Sequence, residues 1–243
     1  MKVEIWSDFI CPFCYIGKRR FEAALEQFAH KQEIEVIYRS FELDPNAKRE
    51  ATQDIHSMLA GKYGMSLEQA KSANADVGRQ AEGVGLTYDF DNMKPSNTFD
   101  AHRLSHYAAS HGRMQEMTER LLYAYFTEGK HLGDHETLTA LAAEVGLDRD
   151  EVAKMLSGED FTQEVRSDEQ EAVDLGIRGV PFFVINRRYA VSGAQPSEVF
   201  LDALKKAWDE QSPLTILNEA SESADDAACV DGVCATDGDK QKQ

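Results

Sequence analysis

Trp6-Ser7-Asp8-Phe9-Ile10-Cys11-Pro12-Phe13-Cys14 decides how the rest of the chain is read. The short run from Val3 to Ser7 reads as a strand. After Cys14, the residues Phe21, Ala24, Leu25 and Phe28 fall at i, i+3, i+4 and i+7, the spacing of one helical face. The two cysteines therefore sit at a strand-to-helix junction. First-turn N–H groups have no acceptor inside a helix, and the helix dipole puts partial positive charge there. The thiolate, the form that attacks disulfides, is favoured at such a place. Cys11 is the expected nucleophile and Cys14, one turn on, the expected resolving thiol. Pro12 brings the fixed φ that a first helical turn wants and gives up an N–H that would go unpaired. Bland readings stand beside this one: half a zinc site, which needs a second pair to close it, an inert disulfide, or two buried free thiols. The strand before and the helix after favour redox chemistry.

A second signal lies far along the chain. Gly179-Val180-Pro181 leads into the apolar run Phe182-Phe183-Val184-Ile185. Proline is tolerated at the first residue of a strand. The sequence does not set the isomer of the Val180–Pro181 bond.

Together with Ser192-Gly193-Ala194-Gln195, these stretches resemble the DsbA family, in particular its FrnE-like branch, over roughly the first 210 residues. The resemblance implies a thioredoxin fold interrupted by a helical insertion, and thiol–disulfide oxidoreductase or isomerase activity. It implies that Val180–Pro181 is a cis-proline loop whose backbone pairs with a substrate polypeptide beside Cys11. Val180, Pro181, Pro12 and Phe13 are then the substrate-side residues. The dipeptide here is Pro-Phe, without the histidine that stabilises the thiolate in DsbA itself, so a strongly oxidising character does not carry over. Aromatic-acid isomerases of the 2-hydroxychromene-2-carboxylate type and kappa-type transferases share this architecture and use glutathione. They typically carry serine near the Cys11 position, and two intact cysteines argue against that reading.

The remainder of the chain fits an α/β class, a thioredoxin-like fold with a large all-helical insertion. Ile34 to Phe41 reads as a second strand, parallel to the first across the helix. Asp44-Pro45-Asn46 marks a loop. From about Thr52 to Gly176 the pattern is helical. Ser66-x-x-Gln69 predicts a capping box. Asn97 with Asp100 is expected to open a further helix carrying Phe99, Leu104, Tyr107 and Ala108. More apolar stripes follow at Met117–Phe126 and Leu138–Val145, then a helix capped by Asp148 and an acidic one between Glu159 and Leu175. These stripes are read as core, the insertion forming a lid over one side of the redox centre. Phe182–Ile185 and Tyr189–Ser192 form a hairpin around Asn186-Arg187-Arg188, and Pro196 and Ser197 open a last helix. The expected boundaries are 1–51 with 177–212 for the thioredoxin-like part, 52–176 for the insertion and 213–243 for an acidic tail.

The chain of 243 residues carries 43 acidic against 26 basic side chains, a net charge of −17, which argues against nucleic acid and anionic membranes as partners. No apolar run is long enough for a membrane span. Met1-Lys2 runs straight into the first strand, so a cytoplasmic protein is expected. The expected partners are protein or thiol disulfides and a cellular thiol reductant such as thioredoxin or glutathione. No cofactor and no metal are expected. His131 and His135 are separated by Gly133, which weakens them as a ligand pair; His102 and His106, four apart on one helix, are read first as structural, and the resemblance, which puts the His102 region near the active cleft, makes His102 a substrate-side candidate as well. Asp8 is a proton acceptor or a solvated turn residue.

The tail is unusual for holding Cys229-Val230-Asp231-Gly232-Val233-Cys234 among seven acidic and two basic residues from Asn218 to Gln243. Such a stretch is expected to be solvated. Some FrnE-like proteins carry a C-terminal pair of this spacing, so Cys229 and Cys234 are expected to be an auxiliary redox pair. The alternatives are an idle pair and a zinc module of all four cysteines.

Overall fold

The computed structural model describes residues 1–49 and 53–210 in full, and the backbone of 229–230 and 233–234. Met1–Glu210 forms one compact unit. Its sheet is built around β1 (Lys2–Ser7), whose residues from Val3 onward are all buried. On one edge β1 pairs in parallel with β2 (Glu35–Ser40), Val3 opposite Val36 and Ser7 opposite Ser40. On the other it pairs antiparallel with β3 (Phe182–Ile185), Trp6 opposite Phe182 and Val3 opposite Ile185. β4 (Tyr189–Ser192) completes the order β2-β1-β3-β4. The parallel pair needs a crossover, supplied by α1 (Pro12–Gln27) and a 3₁₀ turn at Lys31–Glu33.

The hairpin turn puts Asn186 and Arg187 at positive φ, 51° and 56°. Asparagine tolerates this well and arginine poorly. Contacts hold both: the Lys2 amide donates to Asn186 Oδ1 at 2.9 Å, and the Arg187 guanidinium bonds Glu4 and Glu171.

One face of the sheet packs on α1 and α9 (Ser197–Asp209) through Phe21, Phe183, Phe200 and Leu204. The Phe183 and Phe200 rings stand 4.5 Å apart, edge to face. Burying each such ring contributes about 2–3 kcal/mol. The opposite face holds Trp6, Val184, Ala172 and Ile177, and Trp6 Nε1 donates to the Asp168 carbonyl at 2.9 Å.

Among the described residues seven helices lie between β2 and β3: α2 (Ile55–Tyr63), α3 (Leu67–Glu82), α4 (Phe99–Ser110), α5 (Met114–Phe126), α6 (His135–Glu144), α7 (Arg149–Ser157) and α8 (Thr162–Asp174). The capping box at Ser66 and Gln69 is present in both directions. The expected opening of α4 is different. Thr98 stands at its N-cap without a side-chain bond, while Asn97 Oδ1 accepts the Phe99 amide. Asp100 turns inward to Arg103, Arg49 and His135, because three cationic or protonatable partners outbid one backbone N–H. Leu104, Leu121, Leu122, Phe126 and Leu141 gather with Phe9, Tyr15 and Ile16 into the largest core cluster, so the helices close over the start of α1. Among the described residues no helix is long and apolar enough to cross a membrane.

The buried carboxylates of Glu4, Asp100 and Asp168 and the half-buried one of Glu119 anchor this assembly. Burial pushes each carboxyl up, and bonds to arginine, lysine, histidine or N–H groups outweigh it, leaving all four below the ordinary range. A depressed carboxyl contributes stability that is present above its unfolded pKa and lost as pH falls through its folded one. Glu42 runs the other way, raised by burial against the pull of Arg166. With four groups against one, the melting temperature is expected to hold between about pH 7 and 5 and to drop steeply below about pH 4. A scan by circular dichroism checks this; a melting temperature unchanged down to about pH 3 would contradict it.

Candidate active site

Cys11 is the N-cap of α1, with extended backbone (φ −88°, ψ 112°), and Pro12 follows as the first helical residue. The loop behind it is pinned at two points. The Cys11 amide donates to the Asp8 carbonyl at 3.2 Å, and the Cys14 amide to the Cys11 carbonyl at 3.0 Å. The Asp8 amide in turn donates to Cys14 Sγ at 3.4 Å. Cys14 is buried at the bottom of the site, while Phe13 projects from it, 38 % exposed. Both cysteines are free thiols. Burial and the neighbouring Cys11 sulfur push the Cys14 thiol well up, with the Ser7 hydroxyl and the Asp8 amide pulling the other way.

The second signal meets the first here. The Val180–Pro181 peptide bond is cis, and the Val180 carbonyl accepts from Cys11 Sγ at 3.5 Å. The third stretch locks this loop in place. Gly193, at φ +80°, donates its amide to the Pro181 carbonyl at 2.9 Å. Arg20 of α1 reaches the Ala194 carbonyl. Gly17 has no side chain where α1 passes Pro181; a Cβ there would stand 3.0 Å from Pro181 Cγ and 3.5 Å from Ala194.

The helical insertion also grips the site. Tyr88 donates to the Pro12 carbonyl at 2.7 Å, and its phenol is raised by burial. Tyr15 donates to Glu119 of α5 at 2.6 Å, and Lys18 bonds the same carboxylate. Beside Cys11, Pro12 and Phe13 opens a cavity of about 580 Å³, walled by Ile10, Ile55, Met58, Phe90, Met93 and Phe126. Lys48 and Lys62 also line it. None of these insertion residues stood out in the sequence. An apolar residue on a helical stripe looks the same whether it faces a core or a cleft.

His102 is not on the substrate side. It is fully buried behind the active-site loop, 4.8 Å from the Phe9 ring, with Nε2 3.5 Å from Asp8 Oδ1. Asp8 is not a solvated turn residue either: it is fully buried and its other oxygen accepts the Leu43 amide at 2.7 Å. Its two oxygens stand against the Leu43 amide and His102 Nε2. His135 opens α6 and bonds Asp100, and His131 lies outside that helix. Among the described residues no three histidine, cysteine or acidic side chains group as metal ligands do. In the tail, β5 (Cys229–Val230) pairs antiparallel with β6 (Val233–Cys234), Cys229 opposite Cys234. The remaining expectations for that tail lie outside the described residues.

A family model described as a DSBA-like thioredoxin domain matches residues 2–205. The chain belongs to the DsbA-like thioredoxin domain family. The crystal structure of a probable DsbA oxidoreductase from Streptomyces coelicolor is 44 % identical, covers 98 % of this chain and 100 % of its own, and superposes with a TM-score of 0.84. The uncharacterized protein YwbO of Bacillus subtilis is 28 % identical over 86 % of this chain and 96 % of its own length. A 2-hydroxychromene-2-carboxylate isomerase shares the fold at 18 % identity, with a TM-score of 0.62 over 86 % of this chain and 95 % of its own. This is a family of thiol–disulfide oxidoreductases.

The contact at Gly17 yields a test of the DsbA-like site geometry. Alanine in a helix is favoured over glycine by about 1 kcal/mol, but overpacking costs about 1–3 kcal/mol. Pro181 has no rotamer by which to step aside, so Gly17→Ala is expected to lower stability by about 1 kcal/mol. Disulfide exchange should slow as the Val180 carbonyl is displaced. Unchanged denaturant midpoint and exchange rate would show that α1 and the loop do not press on each other.

Proposed function

We propose that the protein is a thiol–disulfide exchange enzyme acting on protein or low-molecular-weight disulfides. The observation that carries this is the placement of Cys11 Sγ at a helix start, 3.5 Å from the Val180 carbonyl, with Cys14 buried beneath it. Cys11 attacks a substrate disulfide, forming a mixed disulfide and releasing one thiolate. Cys14 then attacks Cys11 Sγ, closing Cys11–Cys14 and releasing the second substrate sulfur. The Val180 and Pro181 backbone forms the edge on which the substrate chain lies, and Pro12 and Phe13 form the rim. The apolar cavity beside Cys11 favours a disulfide flanked by an apolar group.

The reduced state is restored by a cellular thiol, thioredoxin or glutathione, in the cytoplasm. Cys229 and Cys234 are the auxiliary dithiol: their backbones lie opposite each other in a hairpin, and attachment to the same chain gives them a high effective concentration. A glutathione-dependent small-molecule isomerase is the second reading, favoured by the cavity and the shared fold of the chromene-carboxylate isomerase.

Cysteine variants separate the two. Cys11→Ser is expected to abolish exchange with disulfide substrates, and Cys14→Ser to accumulate mixed disulfides visible by mass spectrometry. The Cys229→Ser/Cys234→Ser double variant should slow turnover and leave the Cys11–Cys14 couple redox-active. Full turnover in Cys11→Ser would sink the exchange reading in favour of the isomerase.

A further inference from the structure

Cys11 lines a cavity of about 580 Å³, within the range of about 300–1,000 Å³ that small-molecule sites take. The wall is apolar: Met58 of α2, Val77 of α3 and Phe126 of α5, with Phe90 and Met93 from the segment between α3 and α4. Met65 joins Met58 and Met93, and methionine side chains adapt to the shape of what they hold. Phe13, Leu43 and Tyr63 carry the apolar character to the rim, where each is exposed. Large apolar side chains left in water around an opening mark a place that receives something apolar. Among the described lining residues none belongs to a strand, and neither Val180 nor Pro181 is among them. The helices that wall the cavity use their N–H and C=O groups internally. A polypeptide backbone drawn inside would lose its water and find no ladder to pair with. The charged residues of the described lining are Lys48, Lys62 and Asp44, and Lys62 Nζ stands 3.9 Å from Asp44 Oδ2. That leaves one net positive charge at the exposed Lys48, in a chain whose net charge is −17.

We infer that the cavity holds the organic body of a low-molecular-weight disulfide, an apolar chain or ring carrying one acidic group, with its sulfur at Cys11 and its acid at Lys48. This rests on the thiol–disulfide reading above and chooses among its substrates. The Cys11 thiolate attacks the sulfur that carries the body. A Cys11 Sγ–S bond forms, the substrate S–S bond breaks, and the outer sulfur leaves as a thiolate with the electron pair of the broken bond. Cys14 then attacks Cys11 Sγ, Cys11–Cys14 closes, and the body departs as a thiol carrying the Cys14 proton. The substrate disulfide gains two electrons and the dithiol loses them. The length of the apolar body sets how much surface leaves water on binding. Lys48 acts on the acid from the rim, where salt screens it. A thiol that is polar throughout, glutathione among them, gains little from such a wall.

Mixed disulfides of nitrothiobenzoate test this, because nitrothiobenzoate is the better leaving group and is coloured when released. The partner thiols are mercaptooctanoate, its methyl ester, mercaptopropionate, glutathione and a cysteine peptide with phenylalanine on either side. Each is mixed with reduced protein whose Cys229 and Cys234 are changed to serine, and each second-order rate is divided by that of the same probe with dithiothreitol. The octanoate probe is expected to exceed the propionate and glutathione probes by about a hundredfold. It should exceed its methyl ester by about threefold at low salt, a preference that fades as salt is added. Ala73→Phe, which fills the cavity from α3, should cut the ratio of octanoate to propionate by about tenfold. Lys48→Ala should remove the preference for the acid over the ester. Equal rates for octanoate and propionate in the parent would overturn the inference and leave exchange standing. So would a peptide probe that outruns the octanoate, which would assign the cavity to polypeptides. A parent that releases no nitrothiobenzoate from any probe would overturn the exchange reading, and the inference with it.

Discussion

The antiparallel pairing of β1 with β3 is the constraint on which the site depends. Trp6 lies opposite Phe182, so the carboxyl end of β1 and the amino end of β3 finish at the same edge of the sheet. Whatever follows Ser7 must therefore meet whatever precedes Phe182. In this chain those are the loop ending in Cys11 and the loop ending in Pro181, 170 positions later in the sequence. A slip of one residue in either strand would reverse its faces. It would turn Ile5 and Phe183 out of the core and carry the Val180 carbonyl away from Cys11. The phenylalanine cluster of Phe21, Phe183 and Phe200 opposes that slip on one face, and Trp6 with its bond to the Asp168 carbonyl opposes it on the other.

The insertion contributes more than a cover. Tyr88 holds the Pro12 carbonyl, Glu119 collects Tyr15, Lys18 and Arg19, and α4 brings His102 against Asp8. The two cysteines thus face different surroundings. Cys11 lines an apolar cavity and bonds the Val180 carbonyl; Cys14 is buried, with the Asp8 amide on its sulfur. That asymmetry suits the proposed pair, in which one sulfur meets substrate and the other attacks only the first.

Local patterns were legible wherever one element carried the whole signal. The strand–Cys-x-x-Cys–helix junction, the capping box at Ser66 and the hairpin at Asn186-Arg187-Arg188 each rest on neighbours within a few residues. What could not be read depends on partners far away. Asp100 looked like a helix-opening residue because nothing nearby reveals Arg49 or His135 as its partners. For His102 the structural and the substrate-side readings stood open, because a histidine on a helix carries no mark of which side of the active-site loop it packs on; it is buried. The short, capped α2 was hidden inside a long helical stretch, and the cavity it helps to wall was indistinguishable from core. Gly193 was quoted as part of a motif, but its purpose, an amide on the Pro181 carbonyl, belongs to the folded chain.

The equilibrium of Cys11 and Cys14 against a graded series of reduced and oxidised glutathione tests the central claim most directly. In protein with Cys229 and Cys234 changed to serine, the account predicts a single two-electron transition to one intramolecular disulfide per chain. Its midpoint should lie within the span of thioredoxin-fold dithiols, about −270 to −120 mV. A site that only accumulates glutathione adducts, or that stays reduced throughout the series, would contradict it.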